Sequence, residues 1–115
     1  MKGYLDNGFE GATTITVAGL PAGAYDVYVY ADGDNGGTRT GGYRISGAGI
    51  TTTTINLTDT GNTNFNGTFV QAVNSPGNYV KFSINANGFT LTATPGPASD
   101  QARRAPVNGL QIVPQ

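Results

Sequence analysis

The chain has 115 residues, of which 37% are hydrophobic and 11% are charged, with a formal net charge of -1 and neither cysteine nor histidine. The absence of those two residue types excludes thiol redox chemistry, zinc fingers, imidazole bases and Ser-His-Asp systems. The charge balance does not suit a phosphate backbone, and no run of about 18 apolar residues predicts a membrane span, so we expect neither nucleic acid nor membrane as a partner.

Alternation of apolar and polar residues predicts strands along most of the chain, whereas apolar residues at helical spacing are almost absent. In the strand predicted over residues 25–31, Val27 and Val29 share one face, and Tyr28 and Tyr30 lie on the opposite face. The predicted strands, in chain order, cover residues 13–17, 25–31, 42–46, 51–57, 68–73, 79–86, 89–94 and 109–113.

Glycine, proline and asparagine separate these strands. Asn87-Gly88 is typical of a type I′ turn, so we expect residues 79–86 and 89–94 to form a hairpin. About eight short strands indicate a single all-β domain, an antiparallel β-sandwich of jelly-roll type. The predicted loops and turns cover residues 32–37, 58–66, 74–77 and 95–106, the last because its prolines would interrupt a strand.

The loop after residue 31 contains oxygen-bearing side chains beside glycines. Asp32, Asp34 and Asn35 resemble the first half of a calcium-binding loop, although no glutamate follows at the distance an EF-hand requires. The alternative is a tight turn of the kind that Asp, Asn and Gly favour. Calcium is therefore a candidate cofactor that would need further ligands from another loop or from backbone carbonyls.

Several side chains have the chemistry of a sugar site, in which aromatic rings face the C–H side of a pyranose and polar groups bind its oxygens. The alternative for each ring is a place in the core, because tyrosine is also favoured in strands. The candidate ligand contacts in this group are Tyr28, Tyr30, Arg39, Tyr43, Asn64 and Phe65.

Arg103 and Arg104 form the only adjacent basic pair. A guanidinium suits a uronate carboxylate, a sulfate or paired hydroxyls, so both residues are candidate ligand contacts. The alternative is surface hydrogen bonding to acids such as Asp59 or Asp100, which stabilises little. The few acids and the missing histidine provide no acid/base constellation, and we expect no catalysis.

Two segments carry a resemblance to a known group of modules. Residues 19–30, Gly-Leu-Pro-Ala-Gly-Ala-Tyr-Asp-Val-Tyr-Val-Tyr, lead into Asp32-Gly33-Asp34, and residues 105–113 read Ala-Pro-Val-Asn-Gly-Leu-Gln-Ile-Val. From about Ala12 onward the pattern resembles the carbohydrate-binding-module and galactose-binding-like β-sandwiches attached to secreted bacterial polysaccharide-degrading proteins. The resemblance implies sugar binding at the loops of one end or on a concave sheet face. It also implies a structural calcium, for which the loop from residue 32 to residue 35 is the matching segment.

We therefore expect a non-catalytic carbohydrate-binding module that targets a parent enzyme or surface protein to a polysaccharide. Rich in Thr, Asn and Gly and poor in charge, the chain is expected to be a piece of a larger protein located outside the cell or at its surface. The alternative is a structural or adhesive spacer domain, because the threonines of residues 51–54 suit a solvated sheet or a packed partner surface.

Overall fold

The computed structural model describes residue 5 and residues 11–32, 36–61, 65–99 and 103–115. No helix in these ranges is long and apolar enough to span a membrane. The strands are β1 (Thr13–Val17), β2 (Gly23–Tyr30), β3 (Arg39–Ser46), β4 (Thr53–Asp59), β5 (Ser75–Pro76), β6 (Tyr79–Ala86), β7 (Phe89–Ala98) and β8 (Gly109–Pro114).

These strands form two sheets that pack face to face. One sheet has five strands in the order β1-β7-β3-β4-β5, and the other has three in the order β6-β2-β8. All strand pairs are antiparallel except the short contact of β4 with β5, where Leu57 and Thr58 lie opposite Ser75 and Pro76. The prediction of an all-β antiparallel sandwich is confirmed.

The core lies between the sheets and follows from the alternation of each strand. Val27 and Val29 of β2 and Val80 of β6 are 0% exposed, and they meet buried residues such as Ile45 and Leu91 of the other sheet. Shortening one of these side chains, as in Leu91→Ala, would cost about 2–5 kcal/mol through lost contacts and the cavity left behind. The same alternation sends every second residue of β2 and β6 to the outer surface.

The predicted hairpin across Asn87-Gly88 is wrong. β6 pairs with β2 in the three-stranded sheet, whereas β7 pairs with β1 and β3 in the other sheet, so the chain crosses between sheets here. Neither Asn87 nor Gly88 has the positive φ that a type I′ turn requires. The Asn87 carbonyl instead accepts a hydrogen bond from the Leu20 N–H at 3.0 Å. A Cβ on Gly88 would lie 2.6 Å from the Val17 carbonyl oxygen, so the close approach of these two backbone segments requires a glycine at this position.

The loop expected over residues 95–106 begins later than predicted, because β7 continues through Pro95 and Pro97. The pairing with β1 ends at Ala93, so within the described residues no strand lies beside this edge of β7. Prolines are tolerated at such edges because no ladder hydrogen bond is lost there. On the other side of β7, the register with β3 shifts between Arg39 and Gly41, so the regular pairing is interrupted beside these prolines as well.

The strand expected over residues 68–73 is replaced by an irregular segment. Its regular pairing is limited to one isolated parallel bridge from Gln71 to Tyr79, and Phe69 and Val70 are both exposed, so burial does not alternate. A short strand, β5, follows where a turn was expected. The segment instead lies beside the start of β6 and is attached to it by backbone and side-chain hydrogen bonds.

Candidate functional site

The outer face of the three-stranded sheet carries aromatic side chains. In the register of β2 with β6, Tyr30 lies opposite Tyr79 and Tyr28 lies opposite Lys81. The ring centroids of Tyr30 and Tyr79 are 5.9 Å apart, and those of Tyr28 and Tyr79 are 6.1 Å apart. Alternation alone accounts for this placement, because the neighbours of Tyr28 and Tyr30 in β2 point into the core.

The segment between β4 and β5 adds two more rings. Phe69 lies 5.3 Å from the ring of Tyr30 and 6.5 Å from that of Tyr79, and Phe65 lies 4.8 Å from Phe69, all measured between centroids. Phe69 is 54% exposed, so much of its ring is open to solvent. We refer to Tyr28, Tyr30, Phe65, Phe69 and Tyr79 as the ring cluster.

Asn78 holds the segment that carries Phe69. Its Nδ2 donates to the Thr68 carbonyl at 2.9 Å, and its Oδ1 accepts from the Val70 N–H at 2.8 Å. The Asn78 backbone N–H also donates to the Val70 carbonyl at 2.9 Å. Because these bonds attach to both sides of Phe69, they set where its ring lies relative to Tyr30.

Polar side chains lie beside the rings on the outer face of the three-stranded sheet. The Tyr30 hydroxyl donates to Oε1 of Gln111 on β8 at 2.9 Å. The Asp26 carboxylate accepts hydrogen bonds from the Gln115 amide at 2.7 Å and from the Ser83 hydroxyl at 2.9 Å. Both bonds hold the pKa of Asp26 below its ordinary value of 3.8, and the bond from Gln115 lowers it more than the bond from Ser83 does. Amide, hydroxyl and carboxylate groups of this kind can pair with sugar hydroxyls.

Lys81 completes the polar part of this face. Its ammonium lies 3.7 Å from Oδ2 of Asp26 and 5.7 Å from the centroid of the Tyr28 ring. The ion pair adds a further, smaller lowering of the pKa of Asp26. Because the two charges balance, the described outer face of the three-stranded sheet carries no net charge.

A cleft of about 370 Å³ adjoins the ring cluster at the loop end of the sandwich. Phe65 belongs to both, and Thr68 and Asn78 are also among the residues that line the cleft. Asp32 and Asp59 lie in its wall, and its described lining contains no lysine or arginine. The volume falls within the roughly 300–1,000 Å³ range of small-ligand sites.

The outer face of the five-stranded sheet is different. We call it the threonine face, after the threonines that the register brings side by side on β1, β7 and β4. Arg44 and Ser46 of β3 lie among them, and within the described residues no aromatic ring lies on this face. The threonine face is defined by six of these threonines, Thr14, Thr16, Thr54, Thr90, Thr92 and Thr94.

The structure brings together three of the predicted ligand contacts, Tyr28, Tyr30 and Phe65. It corrects a fourth, because Tyr43 is 1% exposed and its hydroxyl donates to the Pro106 carbonyl at 2.7 Å within the core. Gly41 leaves the space for that ring, since a Cβ there would lie 3.0 Å from a ring carbon. A ring so buried offers no face to a ligand.

The predicted arginines lie elsewhere. Arg39 begins β3 and lies opposite Asp59 in the five-stranded sheet. Arg103 donates to the carbonyls of Gly96 at 3.0 Å and Pro95 at 3.3 Å, on β7. Neither these two nor Arg104 belongs to the described lining of the cleft. A ligand-binding role for the three arginines stays a prediction.

The predicted calcium loop is described only at its first residue. Asp32 lies in the cleft wall, and its backbone N–H and carbonyl bond the side chain of Asn108 at 2.6 and 3.1 Å. Asp34 and Asn35, and the predicted ligand contact Asn64, lie outside the described residues. Among the residues that are described, no group of three or more acids could hold a metal ion. Calcium binding stays a prediction.

Sequence reasoning missed several members of the site. Tyr79 could have been found, because it alternates with the buried Val80 and Phe82 in the same way that Tyr28 and Tyr30 alternate with valines. Phe69 could not have been found, because its position depends on the hydrogen bonds between its segment and Asn78 and not on the alternation of a strand.

No family model and no curated protein matches the chain. Among solved structures, the chain is similar to one described as TmCBM61 in complex with beta-1,4-galactotriose, at 12% sequence identity and a TM-score of 0.49, covering 97% of this chain and 70% of that chain.

Proposed function

We propose that the chain binds carbohydrate, without catalysis, through the ring cluster and the cleft beside it. Aromatic faces stack on the C–H side of sugar rings, and the amide, hydroxyl and carboxylate groups around them suit sugar hydroxyls. The observation that carries the proposal is the segregation of the rings. Every described aromatic side chain outside the core belongs to the ring cluster, and none lies on the threonine face.

Mutual packing of the rings supports a preformed site. Each ring contacts at least one other ring of the cluster, and Asn78 holds the segment that carries Phe69. Side chains that are already ordered lose little entropy when a ligand binds. In the proposed role, a single site of modest affinity keeps a larger exported protein close to a polysaccharide, where attachment to other domains adds avidity.

The test is affinity gel electrophoresis of the wild-type chain and of Phe69→Ala against a panel of polysaccharides. The panel includes β-1,4-galactan, because a galactotriose is bound in the similar solved structure. We expect at least one polysaccharide to retard the wild type, and Phe69→Ala to weaken that binding about tenfold, as expected for truncation of a binding hot spot.

The matched control is Val73→Ala. Val73 is an apolar side chain in the same segment, 62% exposed, and outside both the ring cluster and the cleft lining. It should bind as the wild type does. If no glycan retards the wild type and the chain forms concentration-dependent oligomers, the spacer function replaces the proposed one.

A further inference from the structure

We propose that the exposed pair Asn66-Gly67 is a site of self-modification, at which the chain converts the Asn66 side-chain amide to aspartate or isoaspartate without an enzyme. The chemistry of the pair does not depend on the proposed function. Its consequence for the ring cluster rests on that function, because the pair lies in the chain between Phe65 and Phe69.

The reaction is an attack of a backbone nitrogen on the neighbouring side chain, within reach because both belong to one short stretch of chain. The Gly67 nitrogen loses its proton to solvent and bonds to Cγ of Asn66, and Nδ2 takes up a proton and leaves as ammonia. The product is a five-membered succinimide ring. Water then opens this ring. Cleavage of the new N–Cγ bond leaves aspartate, whereas cleavage of the original peptide bond leaves isoaspartate. Water is the co-reactant, and nothing is oxidised or reduced.

The surroundings of Asn66 favour the attack. The Thr68 backbone N–H donates to Oδ1 of Asn66 at 3.0 Å. Negative charge develops on this oxygen when Cγ is attacked, so the Thr68 N–H is a donor placed to stabilise the transition state.

The nucleophile is also open to solvent. Asn66 and Gly67 are both exposed, and a Cβ added to Gly67 would meet nothing within 4 Å. The Gly67 N–H donates no backbone hydrogen bond to another described residue. A base from solvent can therefore remove its proton, and the nitrogen is free to turn towards Cγ.

The Asn108-Gly109 pair has the same two residues in a different environment. Oδ1 of Asn108 accepts from the Asp32 N–H at 2.6 Å, and its Nδ2 donates to the Asp32 carbonyl at 3.1 Å. Both ends of this amide are bonded to a distant part of the chain, so ring closure would have to break two hydrogen bonds.

The Asn87-Gly88 pair is held through its backbone. The Asn87 carbonyl accepts from the Leu20 N–H at 3.0 Å, and this carbonyl belongs to the same planar peptide group as the Gly88 nitrogen. The bond therefore limits how far the nucleophile can turn. The other two Asn-Gly pairs, at residues 7–8 and 35–36, lie outside the described residues.

Isoaspartate at this position would change the relation between two rings of the cluster. The isoaspartyl linkage adds one carbon atom to the backbone between Phe65 and Phe69, while the hydrogen bonds of Asn78 hold the segment of Phe69 in place. The Phe65 ring, now 4.8 Å from that of Phe69, would have to move. Either product also adds a negative charge to the cleft, because Asn66 is part of its lining.

The test compares each Asn-Gly pair with itself in the folded and the unfolded chain, so that the intrinsic reactivity of the sequence cancels. The full chain is incubated in H₂¹⁸O at mildly alkaline pH, with and without guanidinium chloride. Peptide mapping by mass spectrometry measures ¹⁸O uptake at each pair, and electron-transfer fragmentation distinguishes isoaspartate from aspartate. Asn66→Gln is the control variant, because its longer side chain would have to close a less favourable six-membered ring.

We expect folding to slow the conversion of Asn108 and Asn87 by about tenfold, the effect of a hydrogen bond that must be broken first. Asn66 should convert at least as fast in the folded chain as in the unfolded one. The proposal would be overturned by an equal slowing at Asn66 and Asn108, or by label uptake at residue 66 in Asn66→Gln at the rate of the wild type.

The consequence for the ring cluster is measured on the same samples. Once Asn66 is largely converted, the wild type should bind the glycan that retards it about tenfold more weakly than fresh protein, as after loss of one contacting ring. Asn66→Gln treated in the same way should keep its affinity. Equal affinities of converted and fresh wild type would overturn this consequence and leave the modification site standing. If no glycan binds fresh protein, the proposed function and this consequence fail together, and the ¹⁸O uptake still decides the modification.

Discussion

The two outer faces of this sandwich are built from the same kind of strand and carry different side chains. The threonine face presents small hydroxyl-bearing residues on β1, β7 and β4. The three-stranded sheet presents Tyr28, Tyr30 and Tyr79, and the segment before β5 adds Phe65 and Phe69. Each face lies over the same core, so each serves as a control for the other.

Strand propensity does not explain the difference, because threonine and tyrosine are both favoured in strands. Among the described residues no ring lies on the threonine face, so this fold can solvate an outer face made of small polar side chains. An exposed apolar cluster carries a risk of association, so its restriction to one face indicates that the face is used. The position of the rings on the sandwich, and not their number, therefore distinguishes the two faces.

The largest expected effect comes from removing two rings that do not contact each other. Tyr28→Ala combined with Phe69→Ala should weaken glycan binding by more than the tenfold expected for Phe69→Ala alone. The additive limit is about a hundredfold, and the combined loss should fall short of it because both rings contact Tyr79 and are therefore coupled. Isothermal titration calorimetry with the glycan that binds the wild type most tightly measures the loss. Thr54→Ala combined with Thr92→Ala, on the threonine face, should leave the affinity unchanged, and a comparable loss in that control would remove the distinction between the faces.

Loss of the positioning residue should have a smaller effect. Asn78→Ala removes two side-chain hydrogen bonds, so we expect a stability loss of about 1–2 kcal/mol. Affinity should fall about threefold because Phe69 is no longer held beside Tyr30, an effect equivalent to about 0.7 kcal/mol. Urea unfolding and titration separate the two effects, with Asn85→Ala, an exposed residue of β6, as the control. An unchanged affinity in a destabilised Asn78→Ala protein would show that the segment needs no such support.

Substituting the Tyr30 hydroxyl should matter less still. Tyr30→Phe keeps the ring and loses only the exposed hydrogen bond to Gln111, so affinity should change less than about twofold and stability by less than about 1 kcal/mol. Titration and urea unfolding measure both. A tenfold loss of affinity would mean that the hydroxyl, and not the ring, makes the essential contact.

The smallest effect is expected at Asp26. The pKa of Asp26 in the folded protein lies below its ordinary value of 3.8. The interactions of the carboxylate therefore stabilise the fold at pH values above 3.8, and this stabilisation is lost as the pH falls through the lowered pKa. Asp26→Asn should therefore be slightly less stable than the wild type at neutral pH, and the difference should shrink in acid. Urea unfolding across a pH series measures it, and a difference that does not vary with pH would show that the charge of Asp26 contributes nothing.

Local alternation was enough to predict most strands, because it depends only on which residues face the core. It could not assign the strands to sheets. Asn87-Gly88 has the composition of a hairpin turn, yet the flanking strands lie in different sheets and Gly88 serves a close approach to Val17. Pro95 and Pro97 were expected to end a strand, and they continue one because β1 has already stopped.

The site was predictable to the extent that it lies on strands. The outward direction of Tyr28 and Tyr30 is confirmed, and the alternation that places them there also puts Tyr43 on the inward face with Ile45. The alternation in the sequence was therefore sufficient to predict a buried position for Tyr43. Phe69 depends on hydrogen bonds from a residue nine positions away, and no local pattern describes such a contact.

The most direct test of the central claim is chemical-shift mapping on the ¹⁵N-labelled chain during titration with the soluble glycan that binds it most tightly. The amide signals of the ring cluster and of the residues lining its cleft are predicted to shift with saturation, while those of the threonine face stay in place. Shifts concentrated on the threonine face, or no shifts at any concentration of any glycan, would contradict the account.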